Sequence, residues 1–170
     1  MSAAPFENLK VLIVEDNQHM RSLLRTLLNA IGIKEIVDAN NGIPALTAMR
    51  EKKFDLILTD LVMKPMDGLE FTRAVRTAES SPNPFVPIIM LTGHTEKHRV
   101  EAARDAGVTE FLAKPITATS LFSRLAEVVE RPRAFVRCDG YFGPDRRRKS
   151  LDSYAGPWRR HDDFQDVQVK

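Results

Sequence analysis

Strand-like apolar runs, each passing into polar residues and separated by helix-length segments, constrain this chain more than any other feature. Leu-Lys-Val-Leu-Ile-Val at 9–14, Leu-Ile-Leu-Thr at 56–59 and Pro-Ile-Ile-Met-Leu at 87–91 are continuous rather than alternating. That is the pattern of strands buried on both faces of a parallel sheet. Two weaker strands are expected at 35–39 and 110–112. Between the strands, Met20, Leu23, Leu24, Leu27 and Leu28 recur at helical spacing, with Gly32 as a stop. Ala45, Leu46 and Met49 mark a second helix opened by Asn41-Gly42, and Leu69 and Val75 a third. Val100, Ala103 and Ala106, closed by Gly107, mark a fourth, and Leu121, Leu125 and Val128 a fifth. Strand and helix alternating five times predicts an α/β fold, a doubly wound five-stranded parallel sheet. In such sheets functional groups gather beyond the carboxyl ends of the strands.

The composition changes near Pro132, which divides the chain into a domain at 8–131 and an Arg-, Gly- and Pro-rich extension at 132–170. The extension shows neither a helical nor a strand period and is expected to be irregular. The net charge of +2 conceals an asymmetry. Residues 131–170 carry ten Lys and Arg against six Asp and Glu, net +4, and residues 1–130 carry fifteen against seventeen, net −2. A weakly acidic body thus bears a basic tail. Apolar residues at 43% supply a core and exclude wholesale disorder. No apolar run approaches the roughly 20 residues of a membrane span, and Met1 to Glu7 lacks the layout of a signal peptide. A single cysteine, Cys138, excludes an internal disulfide. A cytoplasmic protein is the simplest expectation.

The polar residues that follow the strands carry the chemistry. Strand one runs into Glu15-Asp16, strand three into Asp60, strand four into Thr92-Gly93 and strand five into Lys114-Pro115. In a parallel sheet all of these reach one rim. Three carboxylates there repel one another unless a cation joins them. A hard divalent ion such as Mg²⁺ fits, taking carboxylate, water and phosphate oxygens. An Asp can serve as a nucleophile and form an acyl phosphate. The Lys, as a point charge, and the Thr, as a donor, would bind the phosphoryl oxygens. The opposing readings are ordinary: Glu15 and Asp16 as caps of the first helix, Thr92 as a turn residue, Lys114 as a solvated lysine. The five positions in register outweigh them. His94 and His98 lack metal-ligand spacing and read as surface residues. A nucleotide binder of this sheet order would need a Gly-rich loop after strand one, and none is present.

These residues resemble the response-regulator receiver domains of two-component signalling, over roughly residues 8–130. The matching pieces are Val-Leu-Ile-Val-Glu-Asp at 11–16, Asp-Leu-Ile-Leu-Thr-Asp at 55–60, Met-Asp-Gly at 66–68, Leu-Thr-Gly at 91–93 and Phe-Leu-Ala-Lys-Pro at 111–115. The resemblance implies a flavodoxin-like receiver in which Asp60 accepts phosphate from a His kinase or phosphotransfer protein. It implies that Glu15, Asp16, Asp60 and the Val62 backbone carbonyl hold Mg²⁺, that Thr92 and Lys114 bind the phosphoryl group, and that Phe111 is the switch aromatic. It implies a cis Lys114–Pro115 bond. It also implies a signalling protein rather than an enzyme, its chemistry limited to its own phosphotransfer and autodephosphorylation. The chain departs from the family at Lys64, where proline is common and here follows at Pro65. It departs again at Phe111 in place of tyrosine, and in the stretch 79–86, which is longer than usual. Val62 and His94 border the path of a hydrolytic water in the family, and an apolar Val62 implies slow dephosphorylation.

The extension holds an internal repeat. Tyr141-Phe-Gly-Pro-Asp-Arg-Arg147 and Tyr154-Ala-Gly-Pro-Trp-Arg-Arg160 share Tyr-x-Gly-Pro-x-Arg-Arg. Gly-Pro is expected to form a turn, with the proline opening a helical first turn that carries the arginines. Tyr141, Arg146, Arg147, Arg148, Tyr154, Trp158, Arg159 and Arg160 are candidates for a planar anionic ligand, because arginine pairs with phosphate, stacks on rings and reads guanine bidentately. Two copies suit a ligand with two equivalent halves, such as cyclic di-GMP. The extension resembles the arginine-rich tails of receiver proteins that bind cyclic di-GMP and act at the flagellar motor. A docking peptide for a protein partner is the second reading. Nucleic-acid binding is the third, disfavoured by the interspersed Asp139, Asp145, Asp152, Asp162 and Asp163.

Overall fold

The computed structural model describes residues 5–93, 97–147 and 165–167, with the backbone alone at Lys97 and 165–167. Ten elements alternate through the domain: β1 (Lys10–Val14), α1 (Gln18–Ile31), β2 (Glu35–Ala39), α2 (Gly42–Glu51), β3 (Leu56–Asp60), α3 (Gly68–Thr77), β4 (Ile88–Thr92), α4 (Lys97–Ala106), β5 (Glu110–Ala113) and α5 (Ala118–Glu130). The five strands are parallel, in the order β2-β1-β3-β4-β5. Each predicted strand is present within one residue of its expected ends.

Alternate side chains of each strand enter separate cores, as the pleat requires. Val11, Ile13, Leu56, Leu58, Ile89 and Leu91 pack against Leu24 and Leu28 of α1 and Leu121 and Leu125 of α5. Leu12, Val14, Ile57 and Ile88 pack against Ala45 and Met49 of α2 and Phe71 and Val75 of α3. Met90 meets Ala103 of α4 in a smaller cluster with Leu61 and Val108. The helix stops are those expected. Gly32 (φ 106°) ends α1, its N–H bonding back to the last turn, and Gly107 (φ 104°) follows α4; both need the left-handed region that glycine enters freely. Strand order reverses between β1 and β3, and this opens a crevice at their carboxyl ends.

The extension is not irregular where it is described. It forms β6 (Phe135–Cys138), β7 (Tyr141–Pro144) and β8 (Gln165–Val167), an antiparallel sheet of order β7-β6-β8. β6 and β7 are joined by Asp139-Gly140, with Gly140 at φ 75°. An Asp-Gly pair between two β-prone runs is a hairpin signal, and it was legible in the sequence. The first Gly-Pro is likewise neither a turn nor a helix start. Pro144 pairs with Phe135 at the end of the ladder, and the Asp145 N–H reaches Ala134 O at 2.7 Å.

Packing explains why the segment is extended. Phe135 and Phe142 close on Phe85, with ring centroids 5.2 and 5.3 Å away. The long stretch 79–86 therefore supplies one wall of an aromatic cluster. A Cβ on Gly143 would stand 3.0 Å from Gly107 Cα and 2.7 Å from Tyr141 Oη, so the glycine allows a close backbone approach. Arg133 pairs with Glu110, and Arg146 with Asp105. The hairpin thus covers the end of the domain where β4 and β5 begin, opposite the rim at which β3 ends.

Candidate functional site

Glu15 and Asp16 leave β1 at the rim, and Asp60 is the last residue of β3. The parallel register brings them together: one carboxylate oxygen from each lies within 4.8 Å of the others. Glu15 and Asp60 are buried and Asp16 is exposed. The capping reading of the two acids fails on geometry. Asn17 caps α1 by accepting from Met20 N at 3.0 Å, and Glu15 Oε1 instead accepts from Asn17 N at 3.1 Å.

Lys114, just beyond β5, extends its ammonium into the cluster. Nζ donates to Asp60 Oδ1 at 3.0 Å and stands 3.6 Å from Glu15 Oε2. Its backbone is tied to β4 by a bond from Lys114 N to Thr92 O at 2.8 Å. Thr92 is buried at the end of β4, so hydroxyl, ammonium and carboxylates reach one rim. Phe111 is half-buried beside Leu61, Met90 and Ala103. The Lys114–Pro115 bond is cis, as is Lys64–Pro65 in the loop after β3. Val62 lies on that loop and is 47% exposed.

The electrostatics show what the cluster lacks. Burial pushes the Glu15 carboxyl up to about 7, against the bond from Asn17 and with the charge of Asp60 adding to the rise. Burial also raises Asp60, opposed by the hydrogen bond and charge of Lys114. Burial works to lower Lys114, but the bond and charge of Asp60, together with Glu15, outweigh it and hold the ammonium above its ordinary value. One lysine does not balance three acids. Glu15 Oε2 is buried and makes no hydrogen bond, the one such side-chain atom among the described residues. An orphaned carboxylate oxygen among carboxylates fits a hard cation with oxygen ligands.

Two supporting residues escaped the sequence reading. Gly68 opens α3 against the end of β3, where a Cβ would fall 2.2 Å from the Asp60 carbonyl oxygen. Its place in Met-Asp-Gly was visible, but the contact that requires it was not. Arg21 donates from Nη1 to the carbonyls of Glu15 and Asp16, at 2.8 and 3.1 Å. An arginine in the first turn of a helix carries no such signal.

The described tail candidates, Tyr141, Arg146 and Arg147, are engaged with the domain and with neighbouring residues of the extension. Tyr141 is half-buried, its hydroxyl donates to Pro144 O at 2.8 Å, and burial pushes its pKa up to about 12. The Arg146 guanidinium lies 4.4 Å from the Tyr141 ring centroid while pairing with Asp105. Arg147 pairs with Asp145 at 2.9 Å. Arg148, Tyr154, Trp158, Arg159 and Arg160 lie outside the described residues, as does His94. Among the described residues no helix is long and apolar enough to cross a membrane.

Comparison with known proteins bears on the family and the fold. Residues 11–126 match the model of the response regulator receiver domain. Chemotaxis protein CheY-3 of Vibrio cholerae is 31% identical over 131 residues, covering 77% of this chain and 99% of that protein. Chemotaxis protein CheY of Pseudomonas aeruginosa is 32% identical over 123 residues, covering 72% and 98%. Among solved structures, Vibrio cholerae CheY4 superposes with a TM-score of 0.65 at 34% identity, over 71% of this chain and 98% of that one. The receiver domain of a Pseudomonas aeruginosa sensor histidine kinase, with a magnesium ion coordinated in its active site cleft, gives 0.64 at 29%, over 72% and 98%.

Proposed function

This chain belongs to the response-regulator receiver family, and we propose that its switch is a phosphoryl group accepted on Asp60 from a histidine kinase or phosphotransfer protein. The carrying observation is the clustering of three carboxylates, two of them at Lys114, with Glu15 Oε2 left without a hydrogen bond. Glu15, Asp16 and Asp60, with the Val62 carbonyl, would hold Mg²⁺, which supplies neutralisation of the charge on the phosphoryl oxygens. The remaining roles belong to the chain. An Asp60 carboxylate oxygen attacks phosphorus, the P–N bond of the donor breaks, and its electron pair leaves with the imidazole. Lys114 then moves its hydrogen bond from Asp60 to a phosphoryl oxygen, and the Thr92 hydroxyl donates to another. Withdrawal of Thr92 toward the phosphate opens space into which Phe111 turns, changing the surface that a protein target reads. The flagellar motor is one such target.

Asp60→Asn removes the nucleophile with little change in shape. Labelling by acetyl phosphate with Mg²⁺ is expected to vanish in it, and persistent labelling would place the acceptor elsewhere. A phosphoryl lifetime of only seconds in the purified protein would contradict the slow dephosphorylation assigned to Val62.

The two Tyr-x-Gly-Pro-x-Arg-Arg copies support a second input, cyclic di-GMP held by tail arginines and aromatics. The stack of Arg146 on Tyr141 favours this reading. The pairing of Arg146 with Asp105 favours its rival, in which the tail docks on protein. Calorimetric titration with cyclic di-GMP decides between them: heat that weakens in Arg147→Ala and Arg160→Ala supports the nucleotide, and silence at tens of micromolar ligand supports docking.

A further inference from the structure

We propose that Arg21 is a positioning residue that holds the Glu15–Asp16 backbone in the geometry needed to bind a divalent cation. The inference rests on the cation reading of the three-acid cluster. The β1 ladder ends at Val14, paired with Ala39. Beyond it the backbone of Glu15 keeps one sheet-like bond, from its N–H to Ala39 O at 3.0 Å. The two acids therefore sit on a short connection between β1 and the Asn17 cap, while their side chains are pressed toward Asp60 against electrostatic repulsion. The bond to Ala39 O fixes the peptide plane ahead of Glu15, but the ladder does not reach the carbonyls of Glu15 and Asp16.

Arg21 does. Its Nη1 carries two hydrogens and spends them on consecutive carbonyls, Glu15 O at 2.8 Å and Asp16 O at 3.1 Å. Nε faces Asp38 Oδ2 of β2 at 3.5 Å, and the Arg21 side chain is only 20% exposed. The guanidinium is thus anchored from behind by β2 and presents a rigid planar edge to the loop. Groups that orient ligands without touching the metal commonly change metal affinity by about 10- to 100-fold. Arg25 provides an internal control. It lies on the same helix and pairs with the same Asp38, but its guanidinium bonds to Ile36 O and not to the carbonyls of the acids.

The test is magnesium binding by the full chain, titrated with MgCl₂ in a calorimeter, alongside acetyl phosphate labelling across Mg²⁺ concentration. In Arg21→Gln the Mg²⁺ Kd is expected to rise about 10-fold. Labelling should slow at low Mg²⁺ and recover at saturating Mg²⁺. Arg21→Lys, a point charge without the planar edge, should fall between. Arg25→Gln should lose a similar amount of thermal stability with Mg²⁺ affinity unchanged. An unaltered Kd in both Arg21 variants, or an equal rise in Arg25→Gln, would show that Arg21 merely staples α1 to β2. Should Arg21→Gln fail to fold, Arg21→Lys still decides, since it keeps the charge. Absence of Mg²⁺ binding in the unaltered protein would overturn the cation reading itself, and this inference with it.

Discussion

At the carboxyl rim of the sheet a buried carboxylate oxygen, Glu15 Oε2, has no hydrogen bond, and three acids cluster where one ammonium pairs with two of them. At the opposite rim Arg76 is equally buried, at 3% exposure, yet every one of its nitrogens finds an acceptor. Nε reaches Gly107 O at 3.0 Å, Nη1 reaches Pro84 O at 2.8 Å and Val86 O at 2.7 Å, and Nη2 reaches Thr109 Oγ1 at 3.5 Å. Its guanidinium also lies 5.0 Å from the Phe135 ring centroid. Burial lowers Arg76 to about 9, which leaves it charged at neutral pH. The first group is short of partners and the second is complete. A buried charge that its own fold leaves unsatisfied marks a place where a ligand belongs. One that the fold satisfies marks a fastening, here of α3 to the segments that lead into β4 and β5, with Phe135 of the hairpin against its face.

The largest expected effect strikes the fastening. Arg76→Met strands two buried carbonyls and a part-buried one, and should cost roughly 3–5 kcal/mol of unfolding free energy in urea. A loss below about 1 kcal/mol would show those carbonyls rehydrate freely. Gly143→Val separates hairpin from domain more gently, through the Cβ that would crowd Gly107, at about 1–3 kcal/mol. Asp60 labelling should be unchanged in that variant, and a fall in labelling would reveal coupling between the two ends.

The acid cluster should respond to pH instead. The folded-state pKa of Glu15 is raised from 4.5 to about 7. Its contribution to stability is therefore fully present below about 4.5 and lost as pH rises through about 7. In Mg²⁺-free protein the Tm should fall across that window, and Glu15→Gln should flatten the fall, leaving the variant about 2–4 °C more stable near pH 8. An identical pH profile in both proteins would deny the burial of that charge. The smallest effect is expected from Asp105→Asn. It removes an exposed partner of Arg146 at about 0.2–1 kcal/mol. A larger loss would mean the pair anchors the hairpin.

Legibility followed physical range. Asn41 as a cap and Gly32 and Gly107 as stops act within one helical turn, so they could be read from local residues. The strands at 9–14 and 56–59 could be read because burial on both faces leaves no polar alternation. The hairpin was missed for a different reason. Phe135-Val136-Arg137-Cys138 and Tyr141-Phe142 are short, and arginines interrupt them. What holds them extended is remote: Phe85, Arg76 and Gly107 lie dozens of residues away. The Asp139-Gly140 pair is the local signal of the hairpin. The repeat itself then changed meaning in its first copy. Gly143 permits backbone contact, Tyr141 bonds back to Pro144, and Arg146 is paired with Asp105.

The sequence by itself determined the five-fold alternation of strand and helix, the parallel sheet, and the identities of the acids, hydroxyl and ammonium that end its strands. Those follow from apolar periodicity and from residue type, which are properties of the chain read in order. Only the tertiary structure decided how these groups are balanced. It alone showed that Lys114 is shared between Asp60 and Glu15, that Glu15 Oε2 is left without a bond, that Arg21 holds the backbone behind the acids, and that the extension folds back on the far rim. Each depends on register and distance between segments far apart in the chain. Those quantities exist only once the sheet has assembled.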